Sequence, residues 1–384
     1  DAAIDFSFIY PLVENLYAQF GRPSIDPVVL FKMAMIQYVF GIRSMRQTIK
    51  EIETNVAYRW FLGFGFHTEV PHFSTFGKNY VRRFENTDVF EQIFYCILKE
   101  IVEEGLLSAD HIFIDSTHVK ASANKRKFDK KMVRKETRAY EAKLQEELNI
   151  DREKNGKKPF PKEKFEREEF KEIKESTTDP ESGYYVKDER TKQFAYSFHA
   201  ATDERGFVLG TIVTPGNIHD SHILQPLVEK VIEKVKKPLA VAADAAYKTP
   251  AITNFLLENQ MLPVLPYTRP KTKDGFFRKH DYVYDEHNDC YICPNDQMLP
   301  YVTTTKEGYR QFKSNPTICA NCPFLQQCTE SKNHTKLIQR HIWEAYVEEA
   351  EHLRHHEEIK LIYAKRKETI ERVFADAKEK HGMR

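Results

Sequence analysis

Residues 111–117 read His-Ile-Phe-Ile-Asp-Ser-Thr, a short β-rich run that ends in a carboxylate and two hydroxyls. A second run, Leu239-Ala-Val-Ala-Ala243, is apolar without interruption and also ends in a carboxylate, Asp244. Such runs read as strands buried on both faces. In an open sheet the functional crevice lies beyond the strand ends, so Asp115 and Asp244 converge if their strands are neighbours. Each aspartate alone is as well explained as a turn residue or a helix cap. Together they predict an α/β core with an acidic edge.

Upstream, the first hundred residues read as helices. Asp26 and Pro27 form a cap followed by proline at the first helical position, and Gly41 stops that helix. Val28, Phe31, Met35, Tyr38 and Val39 are its expected apolar stripe. Ser44-Met-Arg-Gln47 reads as a capping box. Ser74 or Thr75 caps a helix running to Phe84, and Val89, Ile93, Ile97 and Ile101 recur every four residues up to Gly105, with Cys96 as a plain core thiol. Downstream, Lys125 to about Ser176 is dense in Lys and Glu and reads as a helical, solvated insertion. Lys192–Ala201 and Phe207–Val213 flank the turn Asp203-Glu-Arg-Gly206 as a hairpin. Helices over about 221–235 and 250–258, a short strand over 262–267, a cysteine-rich segment and one long charged helix from His341 onward complete the order.

Composition narrows the function. The 384 residues are 41% hydrophobic and 30% charged, a globular balance with room for more than one domain. No apolar run approaches the roughly 18 residues of a membrane span, and no signal-like N-terminus is present, so a cytoplasmic location and no membrane partner are expected. The formal net charge is +1, so any nucleic-acid contact must come from local clusters.

Two carboxylates on one spot repel unless a cation lies between them, and Mg²⁺ suits hard oxygen ligands with waters left for a phosphate. The third acid is Glu371, in Thr369-Ile-Glu-Arg-Val-Phe-Ala-Asp-Ala-Lys378, where Ile370, Phe374 and Ala377 take the buried face. By itself Lys367–Glu371 is an ordinary i, i+4 pair. Asp220 competes as a ligand and is placed as a supporting or structural residue. Asp203 lies near it in sequence, and His118 is a surface histidine that could orient a water or phosphate.

Phe113-Ile-Asp-Ser-Thr-His-Val-Lys-Ala121, Ala242-Ala-Asp-Ala-Ala-Tyr-Lys248 and Ile370-Glu-Arg-Val-Phe374 resemble the three acidic blocks of bacterial insertion-sequence DDE transposases. Gly21-Arg-Pro-Ser-Ile-Asp-Pro27, Gly41-Ile-Arg-Ser-Met-Arg46 and Trp60-Phe-Leu-Gly63 resemble their InsH-type N-terminal domain, and Asn217-Ile-His-Asp220 matches a stretch between the first two acidic blocks. The resemblance implies an RNase H-like mixed sheet flanked by helices, with Asp115, Asp244 and Glu371 as catalytic acids holding two Mg²⁺ or Mn²⁺ ions. It implies a helical DNA-binding region over residues 1–105, a core over 106–268 with an insertion at about 122–180, a cysteine-rich insertion over 269–340, and a C-terminal segment over 341–384 that returns the glutamate. Metal-dependent cleavage and strand transfer at transposon ends, target DNA as a second substrate, a homodimer on paired ends and a nucleoid location follow from the same resemblance. Lys378 fits the family's lysine; Lys367 stands where arginine is common, and Arg366 is one step off. A nuclease of the same fold that cuts without joining, and a non-catalytic nucleic-acid-binding protein, are the alternatives.

Five of six cysteines fall in residues 290–328. Cys290-x2-Cys293 and Cys319-x2-Cys322 have the spacing that zinc favours, with Cys328 as an alternate ligand. An iron–sulfur cluster is the other metal reading. The expected DNA contacts are Arg43, Arg46, Arg59, Arg82 and Arg83 on the N-terminal helices, and Lys120, Lys248, Arg372 and Lys378 around the acidic blocks. The clusters Lys125–Lys131 and Arg269–Lys273 add basic patches.

Overall fold

The computed structural model describes residues 4–17, 24–134, 140–161, 165, 170–268 and 272–383. Residues 21–23 of the N-terminal motif and 269–271 of one basic patch lie outside the described residues.

The helix Pro27–Val39 is the axis of the N-terminal region. Asp26 caps it, accepting from the Val28 N–H at 2.7 Å and from the Tyr10 hydroxyl at 2.9 Å. Its buried apolar residues are Leu30, Phe31, Met33, Ala34 and Ile36, whereas Tyr38 and Val39 are exposed. The predicted single stripe is therefore wrong at its end. Leu30 and Phe31 pack with Phe6, Ile9, Val13, Phe84 and Ile93, while Met33 and Ile36 pack with Ile49, Ile52 and Leu62. A helix wedged between two clusters is apolar on two sides, which a one-stripe reading misses. Ser44 caps the next helix through the Gln47 N–H at 3.2 Å, but the Gln47 side chain turns to Glu51, so the predicted box closes on one side only. Helix Val89–Glu103 then joins this region to the core, with Val89 and Ile93 in the N-terminal cluster and Leu98 in the sheet's own.

The central sheet contains β1 (His111–Lys120), β4 (Gly183–Val186), β5 (Lys192–Thr202), β6 (Val208–Pro215), β7 (Ala240–Ala242) and β8 (Leu262–Val264). β5 lies between β1 and an edge shared by β4 and β6. The β1–β5 and β5–β6 pairs are antiparallel, while β1–β7 and β7–β8 are parallel. Ile112 and Ile114 point to the face covered by helices Val89–Glu103, Leu224–Lys234 and Pro250–Glu258. Phe113 points to the other face, where it meets Ile359, Ile370 and Phe374. The predicted hairpin turn is built by the Asp203 carboxylate, which accepts from the Arg205 and Phe207 N–H groups at 2.9 and 2.8 Å.

Two expectations are corrected here. The Lys/Glu-rich insertion is not simply helical: β2 (Phe128–Arg134) pairs antiparallel with β3 (Phe170–Ser176), and helix Glu141–Lys154 lies between them in sequence. Cross-strand pairs Lys130–Glu172 and Lys131–Glu175 use the charges that looked like helix-surface composition. That helix also buries Leu144 and Leu148, and its Arg152 donates to the Thr304 carbonyl at 2.7 Å. The expected long C-terminal helix is three segments, Glu344–Leu353, Glu357–Ala364 and Ile370–Lys380. The cysteine-rich segment forms its own five-stranded sheet, β9 (Val283–Asp285), β10 (Cys290–Ile292), β11 (Met298–Thr304), β12 (Tyr309–Lys313) and β13 (Leu337–His341), around Tyr282, Tyr291, Leu299, Phe312 and Ile338. Among the described residues no helix is long and apolar enough to cross a membrane.

Candidate active site

Register fixes where the two aspartates emerge. β1 and β7 run parallel with Phe113 opposite Ala242. Asp115 and Asp244 lie two residues beyond that pair, so the alternation of side chains carries both toward the Phe113 face. Helix Ile370–Lys380 covers the same face through Ile370 and Phe374, and Glu371 stands in its first turn. The helix thus delivers the third acid to the strand ends that deliver the first two.

Electrostatics agree with this placement. The Asp115 carboxyl is pushed up to about 6, mainly by burial; Arg366 and the Ser116 N–H oppose the shift, and the Asp244 and Glu371 carboxylates add to it. Asp115 therefore senses both other acids. Asp244 also caps a short turn, accepting from the Ala246 N–H at 2.9 Å, so the helix-cap explanation holds for it as well. Among the described residues no three His, Cys, Asp or Glu side chains are close enough together to hold a metal ion.

Arg366 is the residue that sequence reasoning undervalued. It sits in the turn Lys365–Lys367 between the last two helices, 7% exposed, with Nη2 3.0 Å from Asp115 Oδ2. Its guanidinium lies 5.5 Å from the centre of the Tyr363 ring. Counting positions from Glu371 made it look misplaced; the break in the helix before Glu371 turns it inward. Lys367 is exposed.

An open cleft beside the acids is lined by His118, Glu371, Phe374, Lys378 and Met383. His118 stacks on Tyr185 at 3.6 Å, and burial holds its imidazole below the usual range. On the opposite face of β1 and β5, fully buried His199 shares a contact with the Thr214 hydroxyl at 3.1 Å, and its Nδ1 lies 3.9 Å from Asp220. Burial pulls the His199 imidazole down to about 4, with Asp220 opposing. Burial raises the Tyr247 phenol, and the carboxylates of Asp220, Asp115 and Asp244 raise it further. Asp220, at the start of the short 3-10 turn Asp220–His222, thus lies close behind the acidic edge.

The basic candidates divide. Arg43, Arg82, Lys120 and Arg372 are exposed, and Lys125, Arg126 and Lys127 form an exposed patch after β1. Arg46 lies over the Phe73 ring at 4.4 Å, and Arg83 over Tyr17 at 4.2 Å with a bond to the Ser24 hydroxyl. Arg59 is corrected: it is 7% exposed and donates to the Phe66 and Thr68 carbonyls at 3.2 and 2.7 Å, so it braces a loop. Lys248 is largely buried, paired with Glu351, and its ammonium donates to the Pro266 carbonyl at 3.3 Å.

The cysteines group otherwise than in two sequence pairs: the Cys328 thiol is pushed up mainly by burial, and Cys319 and Cys293 add to the shift. Cys290 lies in β10 and Cys293 just beyond it, three positions along extended chain, so their side chains fall on opposite faces. A zinc knuckle needs both sulfurs on one side of a tight turn. Cys293 and Cys328 instead belong to the aromatic cluster around Tyr282, whose hydroxyl is 3.1 Å from the Cys328 sulfur.

Two family models match the ends of the chain. Residues 1–82 match a model described as a transposase domain (DUF772), and residues 292–384 match one described as a transposase DDE domain. The second covers Glu371, Arg366 and Lys378; Asp115 and Asp244 lie between the two matches. No curated protein and no solved structure matches the chain.

Proposed function

We propose that this chain, which belongs to the DDE transposases of insertion sequences and acts in DNA transposition, cleaves and joins DNA at an edge formed by Asp115, Asp244 and Glu371. The observation that carries this reading is the parallel β1–β7 register, which sets Asp115 and Asp244 at adjacent strand ends on the face covered by the helix of Glu371. The strand order β6-β5-β1-β7-β8, antiparallel in its first half and parallel in its second, supports an RNase H-like core.

The donor set has the chemistry of hard divalent cations: three carboxylates carried on one face by separate elements, which a bound cation would have to draw together. Asp115, Asp244 and Glu371 would hold two Mg²⁺ or Mn²⁺ ions, and such a pair, when bound, activates an attacking oxygen and stabilises a leaving one. The protein's own contribution is placement. Burial of Asp115 excludes water from one side of the site, and the hydrogen bond from the Ser116 N–H fixes its carboxylate. Lys378, on the helix of Glu371 and facing His118 across the cleft, presents a positive charge where a DNA phosphate would enter. The same arrangement serves water as nucleophile for nicking and a 3′-hydroxyl for joining. Exposed Arg43, Arg82, Lys120 and Arg372 contact the phosphate backbone of transposon ends and target, and two copies pair two ends. Zinc on the pair Cys290 and Cys293 is given up in this reading, because their side chains fall on opposite faces.

The test is Mg²⁺- or Mn²⁺-dependent cleavage of end DNA by the wild type beside Asp115→Asn, Asp244→Asn and Glu371→Gln. Each variant is expected to lose more than roughly 100-fold, beyond what a supporting residue costs. Undiminished cutting by all three overturns the proposal. A pre-cut end with a free 3′-hydroxyl is expected to be joined to target DNA; nicking without joining would make the protein a nuclease.

A further inference from the structure

Of the three consecutive cations Lys365, Arg366 and Lys367, only the middle one turns inward. Lys365 is paired with Glu204, 2.6 Å away, and Lys367 is exposed. Arg366 is 7% exposed, touches Asp115 Oδ2 at 3.0 Å through Nη2, and approaches the Tyr363 hydroxyl at 3.4 Å through Nη1. Its Nε has no hydrogen-bond partner. A pair buried to this depth, with one donor left unsatisfied, is poor evidence of stabilisation, because desolvation cancels much of the attraction. Its position on a candidate ligand oxygen is more telling.

We propose that Arg366 is the internal counter-ion of the acidic edge, a positioning residue that occupies Asp115 until a divalent cation displaces it. The inference rests on the reading of Asp115 as a metal ligand. One carboxylate oxygen cannot accept a guanidinium at 3.0 Å and a Mg²⁺ at about 2.1 Å along the same direction. Two cations crowded on that oxygen also repel. A divalent cation arriving on the same carboxylate is repelled by the guanidinium 3.0 Å from Oδ2, so loading the site favours its departure, and the turn Lys365–Lys367, between two helices, is the segment able to rotate it out. Metal affinity in the absence of DNA is accordingly weakened by the protein's own arginine. An empty site is kept from collapsing by charge repulsion, because Arg366 offsets the mutual repulsion of three acids.

The experiment is Mn²⁺ binding to the full chain without DNA, by calorimetry and by loss of the free-ion EPR signal. Wild type is compared with Arg366→Gln, Arg366→Lys and Asp115→Asn. Arg366→Gln is expected to bind Mn²⁺ at least roughly tenfold more tightly, the equivalent of one charge-assisted hydrogen bond no longer competing. Its melting temperature falls without metal, and Mn²⁺ restores it by a larger increment than it gives the wild type. A merely structural arginine would lower the melting temperature without tightening Mn²⁺ binding. Arg366→Lys keeps the charge without the planar fork and is expected to bind more tightly than wild type but less tightly than Arg366→Gln. If Arg366→Gln does not fold, this variant carries the test. Wild-type binding with no gain in either arginine variant overturns the counter-ion role and leaves the acidic site standing. Absence of Mn²⁺ binding in every chain, or undiminished binding by Asp115→Asn, overturns the acidic site and the counter-ion with it.

Discussion

Arg59 and Arg366 illustrate how differently two buried arginines can be used. Arg59 spends its donors on the backbone carbonyls of the loop after its own helix, with Thr68 O at 2.7 Å. Arg59→Met is expected to lose about 2–3 kcal/mol of stability, the range for hydrogen bonds to a charged group, as read from a urea midpoint. DNA affinity measured well below the melting temperature should be unchanged, because no phosphate reaches that side chain. A fall in affinity without a fall in stability would return Arg59 to the DNA-contact set. Neither arginine's role was legible from residue type. The positions of the acids were: Asp115 and Asp244 each end an apolar strand run, whose alternation fixes their face, and Glu371 stands on a helix that buries Ile370 and Phe374. Arg366 was obscured because spacing on a continuous helix was assumed, whereas the chain breaks at Lys365–Glu368. The first cysteine pair is the opposite case. Its spacing was right for a knuckle, but local β-structure at Cys290–Ile292 sends the two sulfurs apart.

At the scale of elements, close approach of backbones decides what can vary. Gly183 in β4 faces the loop that carries His219 and Asp220, and a Cβ there would lie 2.3 Å from Asn217 Oδ1 and 2.5 Å from the Gly216 nitrogen. Gly183→Ala must push β4 or that loop aside and is expected to cost about 1–3 kcal/mol. Gly77, in the helix Ser74–Asn79, has nothing near its missing Cβ, so Gly77→Ala should be neutral or stabilising by up to about 1 kcal/mol. Chemical denaturation of the two alanine variants side by side tests the contrast; equal effects would refute it. The helices with clear caps were legible in sequence, Asp26–Pro27 above all. The charged insertion was not, because a solvated hairpin with cross-strand Lys–Glu pairs has the composition of a solvated helix. The three-residue strands β7 and β8 were found only through their apolar runs, since so short a strand has little pattern of its own.

For the molecule as a whole, acid lability follows from two buried imidazoles. His199 and His341 are each held down to about 4, both mainly by burial. In the unfolded chain such groups take up protons below about pH 6.5, while the folded ones stay neutral until about pH 4. The unfolded state therefore binds more protons in that window, and stability is present above pH 6.5 and lost as pH falls through it. Asp115, raised to about 6, acts in the opposite sense between pH 6 and the ordinary aspartate range, because there the folded chain holds the extra proton. The net expectation is a loss on the order of 2 kcal/mol between pH 7 and pH 5. His199→Gln should remove about three-quarters of the slope, because Asp115 already offsets much of what His341 contributes, as measured by melting temperature against pH. An unchanged slope would show that His199 is not the group responsible.

β1 is hydrogen-bonded along both edges, to β5 on one side and β7 on the other. The address of Asp115 is therefore written in main-chain bonds that no substitution of a neighbouring side chain can erase. Drift in the surrounding cavity can reshape how a substrate is gripped while the first carboxylate stays where it is. Sliding the strand by a single position, by contrast, would swing Ser116 into its place and take the carboxylate off that face.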